Sequence, residues 1–85
     1  MDAAADTAGA TGRIVAIQGS VVDVAFNGPV PPIDRMLLTG PDRRVVVEVA
    51  ALVGPGMVRG LALNPAGTLA LDMEVVDTGD RKSVV

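Results

Sequence analysis

Glycine and proline interrupt this chain about every ten residues, and the stretches between them are too short for anything but strands. Gly19, Asn27–Gly28–Pro29, Gly40–Pro41, Gly54–Pro55–Gly56 and Asn64–Pro65–Ala66–Gly67 each mark a turn. Between them lie runs rich in valine and isoleucine, residues that suit a pleated surface. No stretch sustains a helical period. The pattern predicts an all-β domain, a small antiparallel sandwich or barrel.

The runs carry the period of two that a half-buried strand requires. Arg13–Gln18 is the first, and order is expected to begin near Arg13. In Ser20–Phe26, Val22, Val24 and Phe26 alternate with Val21, Asp23 and Ala25; the first set is the expected inward face. In Arg44–Val49, Val45, Val47 and Val49 share one face, with Val46 and Glu48 on the other. Apolar character continues to Val53, and Gly54–Pro55–Gly56 reverses the chain into Met57–Leu63. Gly19, Gly28, Gly54 and Gly56 are expected as structural turns. Gly60 lies inside a strand run, where a glycine marks a bulge or a close backbone approach. Pro29, Pro31 and Pro32 remove three backbone donors and keep the following segment out of any central strand. Arg35–Thr39 is a short strand candidate. Asp72–Val76 leads into Asp77–Gly79, and Ser83–Val85 is a candidate final strand.

Eighty-five residues make one domain, and 49% hydrophobic residues supply one core. Residues 1–11 hold no bulky apolar side chain after Met1 and are read as a flexible N-terminal extension; residues 12–85 are read as the barrel domain. The N-terminus has no basic region followed by an apolar run, so it is not a secretory signal. No apolar run approaches the roughly 20 residues of a membrane-spanning helix. The expected location is the cytoplasm.

Chemistry is limited by what is missing. The sequence has no histidine and no cysteine, which removes the usual general base, the commonest metal ligand and any disulfide framework. Lys82 is the sole lysine and follows Arg81, so no Gly-Lys-Ser/Thr phosphate loop exists. Ser20 and Ser83, the only serines, lack a partner base. No catalytic, cofactor-binding or metal-binding residue is therefore assigned. The acids Asp72, Glu74, Asp77 and Asp80 do not match a calcium loop and are read as solvated surface charges. Seven basic against ten acidic residues and a single aromatic, Phe26, speak against nucleic-acid binding. Asp23, Glu48 and Arg59 fall within apolar strands on the expected outer faces. They are candidates for an ion pair or a subunit interface, beside the plainer reading of solvated charge.

Four segments in order, GSVVDVAF at Gly19–Phe26, PPI at Pro31–Ile33, EVAALVGPGMVRGLAL at Glu48–Leu63 and EVVDTG at Glu74–Gly79, resemble the N-terminal barrel of the beta subunit of F-type ATP synthase. The resemblance covers most of the chain and leans toward beta rather than alpha subunits. It implies a closed six-stranded antiparallel barrel and a place in a crown where alpha and beta barrels alternate, so that alpha subunits are the expected partners. It further implies a position at the cytoplasmic face of the bacterial inner membrane, reached through the complex without direct membrane insertion. The family's catalytic residues lie in a following nucleotide-binding domain and none maps here. Asp80–Arg81–Lys82 departs from the family pattern after Asp-Thr-Gly. The resulting expectation is an assembly module in proton-driven ATP synthesis, with no cofactor and no catalysis of its own; an independent small barrel acting as a binding module or assembly regulator is the alternative.

Overall fold

A computed structural model describes residues 7–64 and 67–81. Among the described residues there are six strands: β1 (Thr11–Gln18), β2 (Val21–Phe26), β3 (Arg35–Thr39), β4 (Val45–Gly54), β5 (Met57–Ala62) and β6 (Glu74–Arg81). They close into a barrel in the order β1-β2-β5-β4-β3-β6, with every neighbouring pair antiparallel. The all-β closed barrel is as the sequence implies.

Local chemistry sets the connections. Gln18 pairs with Val21, leaving Gly19–Ser20 as a two-residue loop with Gly19 at φ 61°, the position where such hairpins favour glycine. Gly54 pairs with Met57 across Pro55–Gly56. Proline followed by Gly56 at φ 69° is the pattern of a type II turn. The proline-rich link between β2 and β3 leaves β2 beside β1 and β5 and delivers β3 between β4 and β6. Pro31 of this link is fully buried.

The core follows the alternation. Val22, Val24 and Phe26 face inward from β2, and Val45, Val47 and Val49 from β4, meeting Ile14, Leu37, Val58 and Val75. Fully burying one such valine contributes about 1.5–3 kcal/mol. Seven valines among ten core residues give a narrow interior.

The chain differs from expectation at its ends. β1 begins at Thr11, and Thr7 is buried, so the stretch read as an extension divides: Thr7–Ala10 packs on the barrel, while residues 1–6 lie outside the described residues. β6 runs on to Arg81. The candidate strand at Ser83–Val85 also lies outside the described residues.

Candidate functional site

β-sheet register brings one row of residues to the same level across four strands: Ala16 of β1 opposite Asp23 of β2, Asp23 opposite Arg59 of β5, and Arg59 opposite Ala51 of β4. Asp23 and Arg59 point outward on non-inward positions of their strands. The guanidinium donates twice to the carboxylate, Nε to Oδ1 at 2.8 Å and Nη2 to Oδ2 at 3.1 Å. Such a two-pronged contact fixes orientation as well as charge. The hydrogen bonds from Arg59, aided by its charge, hold the Asp23 carboxyl below the ordinary aspartate range against the opposing effect of burial. The same bonds raise the Arg59 guanidinium. A surface hollow of about 300 Å³ lies beside the pair, lined by Ala16, Gln18, Val21, Asp23 and Arg59.

Glu48, the third charged candidate, is not brought to this pair. It sits on the half-buried side of β4, opposite Met36 on one neighbour and Leu61 on the other. Leu61 and Leu63 are exposed beside it, so this part of the outer surface is largely apolar.

Of the glycines singled out, Gly19, Gly54 and Gly56 lie at the hairpin turns, and Gly28 in the link after β2. Gly60 is different in kind, because its backbone is extended. It is buried in β5 between Val22 and Val49. A Cβ there would overlap the Val47 Cγ1 methyl and lie 2.9 Å from the Glu48 carbonyl oxygen. The close approach is to a core valine and to neighbouring backbone. Gly12 has the same character, with a Cβ position 2.6 Å from the Ala25 carbonyl oxygen, and composition alone did not distinguish it from a turn glycine.

One cluster runs against the sequence reading. Asp77, grouped there with solvated surface acids, is 1% exposed. Its Oδ1 and Oδ2 accept from Nη1 of buried Arg35 at 3.0 and 3.1 Å. Oδ1 accepts from the Gly79 amide at 2.8 Å, and Oδ2 accepts from the Thr7 hydroxyl. Burial without these partners would force the carboxyl to neutralise or leave the fold. The alternation held the signal: Asp77 is two residues from inward Val75, and Arg35 is two from inward Leu37. Opposite charges on the inward faces of paired strands are a buried ion pair. The remaining acids are on the surface, where Glu74 pairs with Arg43 at 3.0 Å.

The described residues hold no group of three or more Asp, Glu, His or Cys side chains placed to bind a metal ion. The outer surface of the barrel carries the fixed Asp23–Arg59 pair and the exposed Leu61 and Leu63.

Comparison with known proteins converges on one group. The model of the ATP synthase alpha/beta family, beta-barrel domain, matches residues 14–79. An ATP synthase subunit beta 2 of Chlorobium luteolum is 46% identical over 68 residues, covering 80% of this chain and 14% of the relative. An ATP synthase subunit beta 1 of Marinomonas sp. is 40% identical over 74 residues, covering 81% and 15%. An ATP synthase subunit beta 2 of Polaromonas naphthalenivorans is 46% identical over 68 residues. The chain thus spans about one seventh of the length of the relatives it matches.

Proposed function

The chain belongs to the ATP synthase alpha/beta family through its β-barrel domain, and on that footing we propose that it is a beta-type assembly module whose activity is protein–protein association. The observation that carries this reading is a coincidence of boundaries. The matched residues, 14–79, begin inside β1 and end inside β6, so the likeness to beta subunits and the closed barrel are the same object. The partner in this reading is the barrel of an alpha subunit, met side by side in an alternating ring. The process served is proton-driven ATP synthesis, at the cytoplasmic face of the bacterial membrane, and the chain performs no catalysis by itself.

The barrel is suited to that work. Closure leaves its core independent of any neighbour, while Asp23–Arg59, Leu61 and Leu63 remain on the outside. Stability measurements separate association from nucleotide binding. A ligand present at 100 times its dissociation constant stabilises the folded state by about 2.7 kcal/mol. The alpha subunit is expected to raise the melting temperature of the chain, and Mg-ATP is expected to leave it unchanged. A clear shift with Mg-ATP, or none with alpha, would overturn the reading.

A further inference from the structure

The segment leading into β1 and the last part of β6 meet at one residue, Asp77. β1 pairs with β6 through Thr11–Arg13 against Glu74–Val76, and the same register carried one step further sets Ala10 opposite Asp77. There the Asp77 amide donates to the Ala10 carbonyl at 2.9 Å, and the Gly9 amide donates to the Asp77 carbonyl at 2.8 Å. Gly9 and Ala10 thus face a single residue, with Gly9 at φ 85°, the arrangement of a bulge built on a left-handed glycine. The Ala10 amide donates to the Thr7 carbonyl, and this turn brings the Thr7 hydroxyl back to the Asp77 carboxylate.

A second bulge begins at Asp77 itself. Leu37 lies opposite Asp77 and Arg35 opposite Arg81, so Thr78, Gly79 and Asp80 of β6 face the single residue Met36 of β3. Gly79 sits at φ 84°, and its amide donates to Asp77 Oδ1 at 2.8 Å. The Thr78 hydroxyl donates to the Met36 carbonyl at 2.7 Å and accepts from the Asp80 amide at 3.0 Å. The two bulges touch. A Cβ on Gly79 would lie 2.8 Å from that of Ala8, so the incoming segment is seated on the outgoing one.

One buried carboxylate therefore holds three segments, each by a different donor: Thr7 before β1, Arg35 of β3 and Gly79 of β6. Where water is excluded, an acceptor that loses one donor finds no replacement, and its other bonds must readjust. A turn of the carboxylate disturbs all three bonds together. Contacts that share one acceptor in a dry site strengthen or fail as a network rather than as separate links.

We propose that this Asp77 clasp opens and closes as one unit, and that it couples Thr7–Ala10 to the Thr78–Asp80 bulge. Freeing either segment loosens the other, by the reciprocity that governs any two coupled sites. A contact that draws Thr7–Ala10 off the barrel is thereby felt at the end of β6, while the β2–β5 wall stays folded. The device does not depend on which partner the barrel meets.

The test is amide hydrogen exchange of the chain as wild type, Thr7→Val, Thr7→Ser and Thr78→Val. The gauge of whole-barrel opening is the amides of Val24 and Val58, buried opposite each other on β2 and β5. In wild type the Gly9, Asp77, Gly79 and Asp80 amides are expected to share one protection, at least about tenfold lower than that gauge. Thr7→Val deletes the hydroxyl and is expected to speed all four by about tenfold or more, the scale of one hydrogen bond to a charged group. Thr7→Ser is expected to restore them. Thr78→Val, a change in the outgoing bulge, is expected to speed Gly9 as well. The deciding amides are those remote from each change, Gly79 for Thr7→Val and Gly9 for Thr78→Val. If either variant speeds only its own segment, the segments are independent and the proposal falls. It falls too if the four wild-type amides differ widely from one another, or if they are as slow as Val24 and Val58. The wild-type comparison decides the matter even if a variant fails to fold.

Discussion

The Arg35–Asp77 pair and the Asp23–Arg59 pair use the same two side chains at similar distances, 3.0 and 2.8 Å, on opposite walls of one barrel. The first bridges β3 and β6 from inside, where the Asp77 side chain is wholly inaccessible. The second bridges β2 and β5 from outside, with half of the Arg59 side chain in water. Location sets what each can do. Buried charges stripped of water depend on one another, so breaking the inner pair strands a charge. The outer pair keeps its solvent, gains little stability from pairing, and leaves an oriented pair of charges on the surface. One pair ties the closing strands from within, and the other lies on the solvent side of the barrel.

The largest effect is expected at the inner wall. Asp77→Ala leaves Arg35 buried and unpaired and should cost about 3–5 kcal/mol, read from the midpoint of urea unfolding. A cost below about 1 kcal/mol, the range of surface pairs, would erase the distinction between the walls. Thr7→Val removes the hydroxyl that donates to Asp77 and is expected to cost about 1.5–3 kcal/mol, the usual range for hydrogen bonds to charged groups. No change would mean that the Thr7 hydroxyl contributes nothing to the inner pair.

Gly60→Val, on β5 beside Arg59 but facing inward, forces a side chain toward Val47 and the Glu48 backbone. Overpacking of this kind costs about 1–3 kcal/mol; an unchanged melting temperature would refute the close approach. Asp23→Asn is expected to have the smallest effect, about 0.2–1 kcal/mol. Its pH dependence sharpens the contrast. Because folding lowers the Asp23 carboxyl below its ordinary 3.8, the pair's contribution is complete above that value. It is lost as pH falls through the lower folded value. The stability difference between wild type and Asp23→Asn should therefore be constant above about pH 5 and shrink below the ordinary aspartate value. A difference that grows on acidification would contradict the pair.

What was legible in the sequence was whatever alternation and turn chemistry encode locally. Val22, Val24 and Phe26, and Val45, Val47 and Val49, announce their inward faces by a period of two, and Gly54–Pro55–Gly56 announces its hairpin by composition. The interior placement of Gly60 stood out because a glycine weakens a strand unless something presses close. Closure and strand order were implied by family resemblance, since they depend on pairings between distant segments. Asp77 was misplaced because its type suggests water, and its neighbours in sequence, Thr78 and Gly79, suggest a turn. Only the partner strand supplies Arg35, 42 residues away. Thr7 was hidden for a similar reason: an alanine-, glycine- and threonine-rich segment has no local signal of burial when its anchors are a hydroxyl and backbone groups bound to Asp77, 70 residues away from Thr7. Pairing of Arg59 with Asp23, rather than with Glu48, likewise depended on register.

The most direct test of the outer wall's role is the solution mass of the chain, alone and mixed with the alpha subunit, by light scattering after size exclusion. The account predicts a complex containing both chains. The chain and the alpha subunit eluting separately, each at its own unmixed mass, would contradict it.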